Sequence, residues 1–173
     1  MKRYKGGGAL PPKPTLRDVI IGFVGGTLGI LGLYGLSLIT EYPVLLAPFG
    51  ASCVLLFAAP HAPFTQPRNV MGGYFAATVI GLILSLGFDS HPIAMALGVG
   101  LSIAAMQLIR MVHPPAGAVP LVIMIAGSPL RDALDTMVSL FLGAAFLVLL
   151  ALLLNTLGRD KRWPHYWWGK HHQ

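Results

Sequence analysis

Two short stretches, APFGAS at 47–52 and HPPAGA at 113–118, place proline and small residues at the start of apolar segments. The first apolar segment, Pro48 to Ala59, amounts to about 18 Å of helix, which is too short to cross a hydrocarbon core of ~30 Å. Proline suits the first turn of a helix because its missing N–H would be unpaired there. The two stretches therefore predict helices that begin partway through a membrane.

The composition indicates that the rest of the chain also lies in a membrane. Hydrophobic residues make up 55% of the 173 residues and charged residues only 10%, and the mean hydropathy is +0.71. A soluble domain carries about 25% charged residues. The net charge of +6 comes from basic residues at the two ends of the chain, which is typical of topology signals and headgroup contacts rather than of nucleic-acid binding.

Four longer apolar runs accompany the two short segments, and each is long enough to cross a bilayer. They are residues 18–40, 69–88, 93–112 and 133–157. Glycines at small-xxx-small spacing in the first and second of these runs predict close helix packing.

The sequence therefore predicts an all-α membrane protein with a single transmembrane domain at 18–157. A basic cytoplasmic tail at 1–17 precedes this domain. A basic, aromatic tail at 158–173 follows it, with the composition of a segment at the headgroup interface.

The segments also repeat along the chain. An offset of 67 residues (115 − 48) aligns Pro48 with Pro115 and keeps the order of long, short and long segments. We therefore predict two copies, at about 18–88 and 92–157. If each short segment crosses the membrane, each copy crosses three times and the second copy is inverted. If each re-enters, the alternative is four full spans plus two re-entrant half-helices.

The positive-inside rule separates these two topologies. Both termini are basic and are expected to be cytoplasmic. Six crossings also place Arg68 and Arg110 on the cytoplasmic side, whereas four crossings place them outside. The rule therefore favours six segments arranged as two inverted repeats.

A helix that begins within the bilayer turns its partial positive end and its unpaired N–H groups toward whatever lies there. Two such ends predict a site for a small anion near the midplane. His113 either contacts the anion and relays protons or caps the chain break as a neutral side chain. Ser52 either donates its hydroxyl or bonds back to a carbonyl one turn earlier. The predicted lining is Pro48, Phe49, Gly50, Ala51, Ser52, His113, Pro114, Pro115, Ala116, Gly117 and Ala118.

Polar residues beside the breaks form a candidate entrance: Gln66, Arg68, Asn69 and Arg110. Arg110 either attracts anions there or extends toward headgroups, and Asn69 either lines the entrance or caps a helix. No HExxH, CxxC or phosphate-loop spacing is present, and the single cysteine, Cys53, excludes an intrachain disulfide. We therefore expect no catalytic residue, metal site or cofactor.

The HPPAGA stretch at 113–118 resembles the HPP family of small integral membrane proteins, which is named for this tripeptide. Residues 47–74, with PFGAS and then QPRN before a glycine-rich span, resemble the other characteristic block of that family. The resemblance covers roughly residues 15–157. It implies a compact transmembrane domain, and because members in cyanobacteria and chloroplasts are linked to nitrite transport, it implies nitrite as the substrate class.

We accordingly expect a transporter or channel for a small anion, most of all nitrite, in a bacterial plasma (inner) membrane. Its expected partners are the anion and membrane lipids, without nucleic acid, and the glycine-lined first span is compatible with a homo-oligomer. Two alternatives remain from the sequence. One is a non-transporting membrane scaffold or sensor that acts through its tail, and the other is an intramembrane enzyme.

Overall fold

The structure is a computed structural model that describes residues 10–88, 90–126, 130–158 and 162–167, with only the helical backbone described at 130–133. The predictions that concern residues 1–9, 89, 127–129, 159–161 and 168–173 lie outside the described residues. These include most of the basic N-terminal tail and the end of the aromatic C-terminal tail.

The described part of the chain is all-helical, as predicted. Its α-helices are α1 (Leu16–Thr40), α2 (Ala47–Ala58), α3 (Pro67–Gly87), α4 (Pro92–Leu108), α5 (Val119–Ala126) and α6 (Leu130–Leu157). Short 3₁₀ turns occupy Pro63–Thr65 and Pro114–Ala118, and the second leads directly into α5. Three helices are long and apolar enough to cross a membrane: α1, α3 and α6.

The two short segments follow breaks of the same kind. Thr40 ends α1 because Glu41 has a left-handed backbone, with φ 61°, and Arg110 has φ 57° after the end of α4. A left-handed residue cannot continue a right-handed helix, so the helix ends there. The break at Arg110 makes α4 shorter than the predicted 93–112 span: it has 17 residues, or about 26 Å of helix.

The two short helices begin near each other and run to opposite ends of α3. α2 ends at Ala58, beside the loop that leads into α3 and beside Asp18 at the start of α1. α5 ends at the other end of α3, where the Ser90 hydroxyl donates to the Met124 carbonyl. The chain therefore returns along α2 to the end where α1 began, and α1 and α3 start at the same end of the molecule.

The two halves of the chain pack on each other in equivalent ways. α2 packs against α1 and α6, whereas α5 packs against α4 and α3. α3 also packs against α4 and α6, and α1 packs against α6. This pattern is unchanged when the first three helices are exchanged with the last three.

Glycines on α1 and α6 admit aromatic rings from α2. Gly25 of α1 faces the buried ring of Phe57, and Gly143 of α6 faces the buried ring of Phe49. Such close approach strengthens helix packing in lipid, where dispersion contacts replace the hydrophobic effect.

The adjacent glycines Gly25 and Gly26 provide a matched test of this packing. A Cβ at Gly25 would lie 2.5 Å from the Cγ and Cδ1 atoms of Phe57, whereas a Cβ at Gly26 would meet nothing within 4 Å. We expect Gly25→Ala to lower the free energy of unfolding by about 1–3 kcal/mol through overpacking. Gly26→Ala should be neutral or stabilising by up to about 1 kcal/mol, since alanine favours helix. Unfolding titrations in bicelles measure both, and equal stabilities would contradict the packing.

Candidate functional site

Three buried polar side chains from three elements meet where the short segments begin. Ser52 comes from α2, Tyr74 from α3, and His113 from the residue before the Pro114–Ala118 turn, and all three are 0% exposed. The Ser52 Oγ lies 2.9 Å from the Tyr74 hydroxyl and 2.8 Å from His113 Nε2. His113 Nδ1 lies 2.7 Å from the backbone carbonyl of Phe64. We call these four groups the polar chain.

The Phe64 carbonyl sets the direction of the polar chain. A carbonyl oxygen only accepts, so Nδ1 of His113 carries a hydrogen and donates it. In a neutral imidazole Nε2 is then an acceptor, and the Ser52 hydroxyl donates to it. The Ser52 oxygen in turn accepts from the Tyr74 hydroxyl, so every polar group is satisfied. Ser52 thus bonds to side chains from other segments, which neither sequence-based interpretation of this residue anticipated.

α3 holds the extended stretch before His113 in place. A Cβ at Gly73 would lie 2.7 Å from the Cβ of His113, so glycine is what allows this close approach. The Asn69 amide donates to the Val112 carbonyl at 3.2 Å. The Arg68 guanidinium donates to the carbonyls of Ile109, at 3.1 Å, and Arg110. Arg68 thus satisfies the carbonyl end of α4 and places a cation there, which the helix dipole favours.

An open groove of about 990 Å³ separates α2 from the Pro114–Ala126 segment. We call it the α2–α5 groove. Its walls are mostly apolar, and they include five of the predicted lining residues: Pro48, Ala51, Pro114, Pro115 and Ala118. Phe49, Ser52, His113 and Ala116 are buried behind these walls. Gly117 instead faces a smaller groove beside α4, and a Cβ at Gly50 would meet nothing within 4 Å.

The first turns of the short segments offer few N–H donors to this groove. Proline has no N–H, which removes the donors of Pro48, Pro114 and Pro115. The N–H of Phe49 donates to the Leu46 carbonyl, and that of Ala116 donates to the His113 carbonyl, each at 3.0 Å. An anion at these ends would therefore meet the partial positive charge of the helices more than a cradle of N–H groups.

The candidate entrance residues come together at one end of the molecule, where two of them bond to the segment 162–167. The N–H of His165 donates to Gln66 Oε1 at 2.7 Å, and the Tyr166 hydroxyl donates to Asn69 Oδ1 at 3.2 Å. Gln66 and Asn69 are buried, whereas Arg110 is exposed. Asn69 lies two residues inside α3, so it joins two segments and does not cap the helix.

Tyr74, the Phe64 carbonyl and segment 162–167 are the parts of this region that sequence reasoning missed. Tyr74 carried a usable signal, because a phenol inside an apolar span needs a hydrogen-bond partner. A histidine pair also joins the loop before α3 to this segment, with His61 Nδ1 3.0 Å from His165 Nε2. Within the described ranges, no three histidine, cysteine or acidic side chains gather as metal ligands.

Comparison with known proteins gives one family and two relatives. The family described as HPP, transmembrane region, matches residues 11–164. A transmembrane protein of Dictyostelium discoideum is 34% identical over 167 residues, which cover 91% of this chain and 59% of the relative. A second transmembrane protein of that organism is 32% identical over 176 residues, which cover 96% and 57%. The chain thus spans less than three fifths of these curated relatives, and no solved structure matches it.

Substitutions in the polar chain test the central position of Ser52, which bonds to both Tyr74 and His113. Ser52→Ala leaves both the Tyr74 hydroxyl and His113 Nε2 without a hydrogen-bond partner, and each buried unsatisfied group costs about 1–3 kcal/mol. Tyr74→Phe removes only the Tyr74 hydroxyl and leaves the hydrogen bond from Ser52 to His113 intact. We therefore expect Ser52→Ala to lower the free energy of unfolding by more than Tyr74→Phe does, measured in bicelles. A larger loss in Tyr74→Phe would contradict the central position of Ser52.

Proposed function

The chain belongs to the HPP family of integral membrane proteins, and from this premise we propose that it transports a small anion, with nitrite as the first candidate. The observation that carries the proposal is the pair of short helices, which begin side by side within the bundle and run to opposite ends of α3. Discontinuous helices with this geometry form substrate sites in many transporters.

Six crossings as two inverted repeats are part of the same proposal. The return of the chain along α2 supports a crossing rather than a re-entrant loop, since α1 and α3 then start at one end. The equivalent packing of the two halves and the paired left-handed residues Glu41 and Arg110 support a repeat. We place both termini on the cytoplasmic side of a plasma membrane, following the basic residues.

Movement of a proton together with the anion would lower the free-energy cost of bringing a charge into the groove. The groove walls are mostly apolar, and a bare charge in such surroundings is costly. An anion that moves together with a proton carries no net charge. His113 lies directly behind the groove wall formed by Pro114 and Pro115, and an imidazole can take up and release a proton. We therefore propose coupled movement of the anion and a proton, with His113 as the relay.

An enzyme is the second candidate, and one contact favours it. Ser52 Oγ and His113 Nε2 lie 2.8 Å apart, and the Phe64 carbonyl orients the imidazole, as in a pair of nucleophile and base. However, Ser52 and His113 are fully buried, and Ser52 also bonds to Tyr74. We therefore propose a transporter rather than an enzyme, and covalent labelling of Ser52 by a fluorophosphonate would reverse that choice.

Nitrite uptake into proteoliposomes tests the proposal directly. The wild-type chain should accumulate nitrite faster when the outside is more acidic, because the proton gradient then drives the anion inward. His113→Gln should fold, because its amide can donate to the Phe64 carbonyl and accept from Ser52. Since glutamine does not titrate, this variant should lose most of the pH-driven uptake.

Two results would contradict the proposal in different ways. Uptake by the wild type no faster than by empty liposomes, for nitrite and for similar small anions, would exclude anion transport. Normal uptake with a normal pH response in His113→Gln would retain transport and exclude His113 as the relay. Ile83→Leu serves as the control, since Ile83 is 62% exposed on α3 and does not line the groove.

A further inference from the structure

We propose that a groove between α3 and α6 binds an anionic phospholipid, with an acyl chain in the groove and the phosphate of the headgroup at Arg68 and Arg110. The groove has a volume of about 580 Å³ and is lined by the first turns of α3, the middle of α6, Met111 and Trp167. We call it the α3–α6 groove. Transport of a small anion plays no part in this site, which depends only on the membrane location of the chain.

The inner part of the α3–α6 groove is an apolar surface on two membrane spans. Phe75 of α3 is 55% exposed and Leu149 of α6 is 63% exposed. The lining of α3 runs from Pro67 to Phe75, about 12 Å of helix, and the rings of Phe75 and Phe141 lie 6.1 Å apart at its inner end. Both lining stretches are helical, so their backbone groups are paired and hydrocarbon can lie against them. An acyl chain matches this surface.

The outer end of the same groove is lined by Arg68 and Trp167. Trp167 is 51% exposed, and tryptophan at the end of a membrane span is typical of the headgroup level. The Arg110 carbonyl accepts from the Arg68 guanidinium, and Arg110 is itself exposed. Two cationic residues therefore meet where the apolar groove reaches the headgroups.

These two cations lack an acidic partner within the described part of the chain. Arg68 bonds there only to the carbonyls of Ile109 and Arg110, and the Arg110 side chain makes no hydrogen bond or ion pair. A guanidinium has five N–H donors, so Arg68 keeps donors for a ligand. The carbonyl end of α4 carries only a partial negative charge. A phosphate group, which matches the fork of a guanidinium, complements the remaining charge.

The continuity of the charged mouth with the apolar groove favours a lipid over a free phosphate. A free phosphate would meet the two arginines and leave the α3–α6 groove without an occupant. A phospholipid places its phosphate and its acyl chain in the order in which the protein presents cations and apolar side chains. A net negative headgroup should be preferred, because each arginine near anionic lipid strengthens binding about fivefold.

Native mass spectrometry of the detergent-solubilised chain tests the charged end of the site. The chain is incubated with equal amounts of phosphatidylglycerol and phosphatidylcholine that carry the same acyl chains. We expect the wild type to retain roughly tenfold more phosphatidylglycerol or better. Arg110→Gln should lower this preference about fivefold. Arg17→Gln should leave it unchanged, because Arg17 lies at the same end of the molecule but lines a different cavity.

A bulky side chain tests the apolar part of the site without touching either arginine. Ala145 of α6 lines the groove, so Ala145→Trp should fill it and abolish most of the retained phosphatidylglycerol. Leu134→Trp is the matched control, because Leu134 is 46% exposed on the same helix and lies outside the groove. This control should retain phosphatidylglycerol as the wild type does.

Three results would overturn the lipid site. Equal retention of the two lipids by the wild type would exclude selection of an anionic headgroup. Unchanged retention in Ala145→Trp would exclude the groove, and an equal effect of Arg17→Gln and Arg110→Gln would reduce the preference to general surface charge. A chain that prefers phosphatidylglycerol as expected and takes up no nitrite would retain the lipid site and overturn only the proposed function.

Discussion

The hydrogen bonds from Tyr74 through Ser52 and His113 to the Phe64 carbonyl hold together segments that are far apart in the sequence. A polar group buried inside a membrane protein costs free energy unless it has a partner, and each group of the polar chain has one. This requirement fixes where α2 and the Pro114–Ala118 turn begin relative to α3. Residue 73 then has to be glycine, because the backbone before His113 packs directly against it and leaves no room for a side chain. Asn69 and Arg68 bind the carbonyls of that same passing stretch.

The same constraint explains how much the sequence could predict. Prolines in apolar surroundings predicted both short segments, because proline is tolerated only in the first turn of a helix. Ser52 was different, since local patterns offer only a carbonyl one turn away, whereas its partners lie 22 and 61 residues further along. Phe64 acts through its backbone, which has no sequence signature. The early end of α4 depends on a left-handed Arg110, and arginine gives no signal for that conformation.

One end of the molecule connects the polar chain to the C-terminal segment. The Gln66 amide donates to the Pro60 carbonyl, and its oxygen accepts from the N–H of His165. Thr65 donates to the same Pro60 carbonyl. These bonds hold the loop that carries the Phe64 carbonyl, so they also hold the orientation of the imidazole. The indole of Trp163 is buried nearby, and this burial anchors segment 162–167 over the loop. The position of His113 therefore depends on contacts from the far end of the sequence.

Protonation of His113 would reverse the direction of the polar chain, and in the proposed transporter this would link the proton to the charge of the anion. Nε2 would become a donor, so the Ser52 oxygen would have to accept and its hydrogen would have to turn toward Tyr74. The Tyr74 hydroxyl would then lose Ser52 as an acceptor within a core of apolar side chains. The added positive charge on His113 and the Tyr74 hydroxyl without an acceptor both cost free energy in this apolar core. In the proposed transporter, an anion at the adjacent helix starts would offset the charge, so anion and proton would each favour the binding of the other, as linkage requires.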